Sequence, residues 1–158
     1  VWMSDIKDLE DAYQMILDIG KLVNKSEKAV ELAETLRLQF SSIKIIQPKK
    51  AAYFIWRKPF MVAASDTFIN EMLRVAGFEN VFANLDRYPE VTLEELANRN
   101  PSVILLSSEP YPFKEKHLDE FRKACPNADV KLVDGELFSW YGSRLLHSVD
   151  YFKTLVSM

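Results

Sequence analysis

Side chains able to do chemistry are few and scattered along this sequence. Asp134-Gly135-Glu136 is a carboxylate pair just after an apolar strand-like run. Two carboxylates one residue apart suit acid–base work, but Asp-Gly is also a turn dipeptide, and a turn is the simpler reading. Of the two histidines, His117 sits beside Lys116 and Asp119 on a polar helix face and reads as solvated. His147 lies beside the apolar stripe of the last helix and reads as structural. Neither has a second ligand at metal-binding spacing. The single cysteine, Cys125, excludes an intrachain disulfide and a cysteine-built metal site, and its place before Pro126 reads as a partly buried helix end. No serine occupies a Gly-x-Ser-x-Gly turn. The four glycines, Gly20, Gly77, Gly135 and Gly142, fit neither a dinucleotide fingerprint nor a P-loop.

Glu94 stands apart because of where its neighbours place it. In Thr92-Leu-Glu-Glu95, threonine and the second glutamate fit a capping box, each satisfying a free amide at a helix start. Glu94 is then the free carboxylate at the second helical position, beside the positive helix end. On residue type alone it is a helix-terminus charge.

The elements that must hold these residues follow from periodicity. Leu9, Ala12, Tyr13, Ile16, Leu17 and Ile19 predict a helix within 5–23, with Asp8 as N-cap and Gly20 weakening or ending it. A second helix is predicted over 26–41, its stripe Ala29, Leu32, Ala33, Leu36 and Phe40; at 1.5 Å per residue it is about 25 Å long. After Gln47-Pro48, apolar strands alternate with helices. Strands are predicted at 51–56, 103–106 and 130–133, and helices at 66–76, 92–98, 114–124 and 144–156, with Gly77 just past a helix end. This alternation predicts an α/β fold, a Rossmann-like three-layer lobe on a mostly parallel sheet, preceded by a long helical connector.

Composition sets the outer bounds. The chain has 158 residues, 48% apolar and 27% charged, enough for one well-filled core and too few for two full domains. A net charge of −3 gives no bulk attraction to nucleic acid. The most apolar runs fall well short of the ~20 residues of a membrane-spanning helix. Val1-Trp2-Met3-Ser4 reads as a short strand without an initiator methionine. The chain therefore reads as a trimmed piece, and its lack of a signal segment says nothing about compartment.

Six short motifs occur in order: Trp2 to Phe40; Tyr53 to Ser65; Thr67-Phe-Ile with Ala76-Gly-Phe-Glu-Asn80-Val; Tyr88-Pro-Glu-Val-Thr-Leu-Glu94; Asn100-Pro-Ser-Val-Ile-Leu-Leu-Ser-Ser-Glu-Pro110; and Phe138-Ser-Trp-Tyr-Gly-Ser-Arg144. Together they resemble the C-terminal lobe of the helical-backbone substrate-binding proteins of ABC importers for vitamin B12 and ferric siderophores. The resemblance implies a remnant strand of an N-terminal lobe at 1–4, a connector at 5–47 and the C-terminal lobe at 48–158. It implies a receptor, not an enzyme, with no resident cofactor, a cobalamin- or siderophore-like ligand, a permease partner and no nucleic acid. Its place would be the periplasm or the outer face of the cytoplasmic membrane. By the same resemblance Glu94 docks on permease arginines. Ligand contacts would come from loops at the strand ends: Trp56 and Arg57; Tyr88; Glu109, Tyr111 and Phe113; and Phe138, Trp140, Tyr141 and Arg144. Aromatic faces with a few arginines suit a flat macrocycle or chelate. Trp56 and Phe138 also fit core positions. The alternatives are an α/β enzyme, a free-standing small-molecule sensor, or a receptor binding a bare metal ion with ligands from another lobe.

Overall fold

The computed structural model describes residues 5–45 and 47–156. The strand expected at 1–4 lies outside the described residues. Helix α1 spans Leu9–Leu22 and α2 spans Ser26–Ser41. Asp8 caps α1 as its residue type predicts, its carboxylate accepting the Asp11 N–H at 2.8 Å. Gly20 does not end the helix. A Cβ at this position would collide with Ala29 Cβ on α2, so the missing side chain lets the two helices approach.

Five strands form one sheet: β1 (Lys49–Trp56), β2 (Met61–Val62), β3 (Phe78–Asn80), β4 (Val103–Ser107) and β5 (Asp129–Val133). The order is β2-β1-β4-β5, with β3 beside the first half of β1; all pairings are parallel except β1 with β2. Helices α3 (Phe68–Val75), α4 (Leu93–Arg99), α5 (Leu118–Ala124), α6 (Glu136–Ser139) and α7 (Ser148–Val156) complete the fold.

The continuous apolar strands make sense because both sheet faces are covered. Successive side chains of a strand point to opposite faces. Ala51, Tyr53 and Ile55 of β1 therefore join a core with Leu36, Phe68, Met72, Phe138 and Phe152. Ala52 and Phe54 join a second core with Phe82, Leu96, Ile104 and Phe121. Full burial of one such ring is worth about 1.5–3 kcal/mol. The α/β three-layer expectation holds. Leu9, Tyr13, Ile16, Ala33, Leu36 and Phe40 of α1 and α2 lie in the first of these cores. The helical segment is thus built onto the lobe.

Three differences from the sequence expectation have local causes. Asp66 adopts a left-handed backbone (φ 57°), so the helix expected from 66 starts at Phe68, with Thr67 as its N-cap. The helices expected from Lys114 and Arg144 each open with a 3-10 turn, Glu115–His117 and Ser143–His147. Strands β2 and β3 and helix α6 have two to four residues each, too few for periodicity to reveal.

Candidate functional site

Strands β1, β4 and β5 run parallel and end at Trp56, Ser107 and Val133, so their following loops emerge on one edge of the sheet. In an open α/β sheet this edge is where ligands bind. Trp56, Arg57, Glu109, Tyr111, Trp140, Tyr141 and Arg144 all lie on it. Tyr88 reaches it differently. Its segment runs beside the extension of β2, where the Ala64 N–H donates to Arg87 O at 2.8 Å and the Val62 N–H to Pro89 O at 3.2 Å.

The candidates form three aromatic groups. Trp56 meets Tyr111 edge-on at 5.7 Å, and Tyr111 meets Phe113 at 4.9 Å. The Trp140 indole N–H donates to Glu109 Oε1 at 2.7 Å, and the Ser139 hydroxyl donates to the same oxygen at 2.8 Å. Tyr141 stands edge-on to Phe68 at 5.5 Å. Burial raises the Tyr88 phenol above its ordinary range, Arg87 lowers it, and the Tyr141 phenol raises it further. Trp56, Tyr88, Trp140 and Tyr141 are 39%, 37%, 52% and 43% exposed, so each has a face open to a ligand. Phe113 and Phe138 do not: both are buried, Phe138 between Tyr53 and Phe152.

Close packing behind the edge fixes these loops. A Cβ on Gly135 would lie 2.7 Å from Glu109 Cγ and collide with Ser107 Oγ. The Gly135 N–H donates to Ser108 Oγ at 2.9 Å and the Tyr53 hydroxyl to Ser107 Oγ at 3.1 Å. The Asp134 carboxylate accepts the Glu136 N–H at 3.0 Å, so the expected turn is the entry to α6. A groove of about 440 Å³ lined by Ser108, Phe113, Asp134, Glu136 and Arg144 opens between the β4 and β5 ends.

The arginines are engaged. Arg57 donates to both oxygens of Glu120, at 2.6 and 3.1 Å. Arg144 lies 2.6 Å from Glu136 and 3.7 Å from Asp134. Glu120 and Ser139 were not expected beside these candidates, and no local pattern marks them; Glu136 was marked only as half of the Asp134-Gly135-Glu136 pair. The Ser139–Glu109 bond joins residues 30 positions apart.

His117 corrects its expected place. It is buried, its Nδ1 accepts the Lys114 N–H at 3.0 Å, and its ring packs on Tyr111 and Phe113. It closes the turn that starts α5, which a polar helical wheel conceals. His147 is exposed. Cys125 is buried, and burial raises its thiol. Among the described residues, no group of three histidine, cysteine or acidic side chains is placed to hold a metal ion. No helix among them is long and apolar enough to cross a membrane.

Glu94 is exposed, and the rest of α4 is fastened around it. The Thr92–Glu95 capping box forms at both contacts, Glu95 N–H to Thr92 Oγ1 at 3.1 Å and Thr92 N–H to Glu95 Oε2 at 2.7 Å. Arg99 lies over the Phe82 ring at 4.5 Å and donates to Val81 O at 2.6 Å. Asn100 ends the helix in a left-handed conformation.

Residues 1–126 match the sequence model of a family described as "Periplasmic binding protein". The chain belongs to that family. It is a family of binding proteins, not of enzymes. Among relatives, a vitamin B12-binding protein of Vibrio parahaemolyticus is 28% identical over 112 residues, 68% of this chain and 41% of that protein. An uncharacterized ABC transporter substrate-binding lipoprotein of Bacillus subtilis is 24% identical over 158 residues, 94% of this chain and 50% of that protein. The fold is that of a solved structure from Staphylococcus epidermidis, titled a possible iron-binding (periplasmic solute-binding) protein. Its TM-score is 0.83 at 20% identity, covering all of this chain and 66% of the other. The chain spans about half the length of the curated relatives it matches.

Proposed function

We propose that this chain is the C-terminal lobe, with its joining helices, of a two-lobed ABC-importer receptor for a cobalamin- or ferric-siderophore-like ligand. The observation that carries the reading is the convergence of Trp56, Tyr111, Trp140 and Tyr141, partly exposed, on the one edge where three parallel strands end. Aromatic faces bind flat macrocycles and chelates by stacking, and Glu109 supplies a polar edge contact. Residues 5–47 join this lobe to the other, and the chain from 48 onward forms this one. The ligand sits between the two lobes, on the outer side of the cytoplasmic membrane. Glu94 is presented to an arginine of the permease. A single fixed carboxylate of this kind gives orientation and fast encounter more than affinity.

α1 and α2 share the lobe's core, so the connector moves with this lobe; the receptor hinges little because a helical connector resists the bending that a loop hinge allows. The reading is tested by tryptophan fluorescence of the complete receptor. Trp56 and Trp140 line the site, so emission quenches on titration with a cobalamin or a ferric chelate. No response to any of these ligands would remove the ligand class.

A further inference from the structure

The chain that follows β4 carries two of the ligand candidates, Glu109 and Tyr111, and leads into the buried His117. Its backbone is tied to the sheet where the Tyr111 N–H donates to Ile55 O at 3.2 Å and the Phe113 N–H to Ser107 O at 3.3 Å. The ring of Tyr111 is set by its neighbours. It meets the partly exposed Trp56 at 5.7 Å, and packs on the buried Phe113 and His117 at 4.9 and 5.6 Å. His117 is in turn fixed by a hydrogen bond, its Nδ1 accepting the Lys114 N–H at 3.0 Å. An imidazole nitrogen that accepts carries no proton, so this ring is neutral with its proton on Nε2.

A proton on Nδ1 turns that acceptor into a donor aimed at another donor, and the bond to Lys114 is lost. The surroundings of the ring resist this. Burial comes first, then the Arg57 guanidinium from the loop after β1, and Lys116 and Lys114 of its own turn add positive charge. Glu120 of α5 favours the proton, but both its carboxylate oxygens are taken by Arg57. The folded loop is therefore built around the neutral ring, and an imidazolium has to turn toward water and away from Tyr111. We infer that neutral His117 is a positioning residue that holds Tyr111, and through it Trp56, in the ligand face, and that its protonation weakens ligand capture. The inference rests on the proposed ligand face.

The test is equilibrium titration of the complete receptor with cyanocobalamin, ferrioxamine B and ferrichrome at about pH 7.5 and about pH 5, on either side of an ordinary histidine pKa. None of the three changes protonation in that range, so a change in affinity belongs to the receptor. For the best of them, the dissociation constant of the wild type rises at least about threefold at the lower pH, because proton and ligand favour different forms of His117. His117→Gln offers the Lys114 N–H an amide oxygen that takes up no proton, so its dissociation constant is the same at both pH values. A merely structural role for His117 would not separate the two pH profiles. A constant affinity across pH in the wild type overturns the inference while leaving the receptor reading intact. An equal pH dependence in the Gln variant also overturns it, because another group is then the one that titrates. Binding of none of the three probes at the higher pH removes the receptor reading and the inference together.

Discussion

At the residue scale, the clearest signals are those set by immediate neighbours. Thr92, Glu95 and Asp8 are in the capping roles their types predict, because a cap depends on three or four consecutive residues. The same local logic isolates Glu94. Glu94→Ala leaves α4 and ligand affinity unchanged but weakens docking on the permease, read as slower uptake by cells relying on this receptor. Uptake at the wild-type rate would remove the docking role. His117 shows what local reading misses. Its environment comes from Tyr111, Phe113 and the Lys114 amide, which the fold closes around it. Burial lowers its pKa below the ordinary value of 6.5, helped by Arg57 and Lys116 and by the weaker effect of Lys114, against Glu120. The folded chain thus binds fewer protons than the unfolded one in this range. The stability from neutral His117 is fully present above about pH 6.5 and is lost as pH falls through the lowered value. Thermal unfolding measured from pH 7 down to about 5 checks this. The wild type loses more stability over that range than His117→Gln, whose amide oxygen still accepts the Lys114 N–H. Equal losses would contradict it.

At the element scale, long periodic segments were legible and short ones were not. Helices α1 and α2 and strands β1, β4 and β5 declare themselves by apolar spacing over five to 16 residues. Strands β2 and β3 and helix α6 are set by tertiary pairing. The two-residue β2 exists because Phe54 and Trp56 offer it an edge. Gly20 is the instructive case. Its type suggested a helix end, whereas the packing of α1 on α2 requires the missing side chain. Gly20→Ala gains up to about 1 kcal/mol of helix propensity, and forcing a methyl against Ala29 costs about 1–3 kcal/mol. Because Ala29 Cβ cannot rotate away, the collision wins. Denaturant unfolding shows a net loss of about 1–2 kcal/mol, and a gain would mean the helices are free to separate.

At the scale of the whole molecule, the parallel topology brings scattered candidates to one edge of the sheet. Trp56, Glu109 and Trp140 are far apart in sequence, yet each follows a strand that ends on the same edge. That convergence is what the family resemblance implies. The pairing of Arg57 with Glu120, Arg144 with Glu136 and Trp140 with Glu109 is not part of it, because each joins side chains through the fold and not through a motif. The edge is an open face, with aromatic side chains toward solvent and only shallow grooves beside it. The proposed cleft takes this surface as one of its two sides.

The most direct measurement of this account is the dissociation constant of the best cobalamin or ferric chelate, for the complete receptor and for the 158-residue chain alone. Removing half of the enclosing contacts raises the constant at least about 100-fold, equivalent to ~3 kcal/mol of binding energy. Equal affinity in the two proteins would contradict capture between lobes and make this chain a binding domain in its own right.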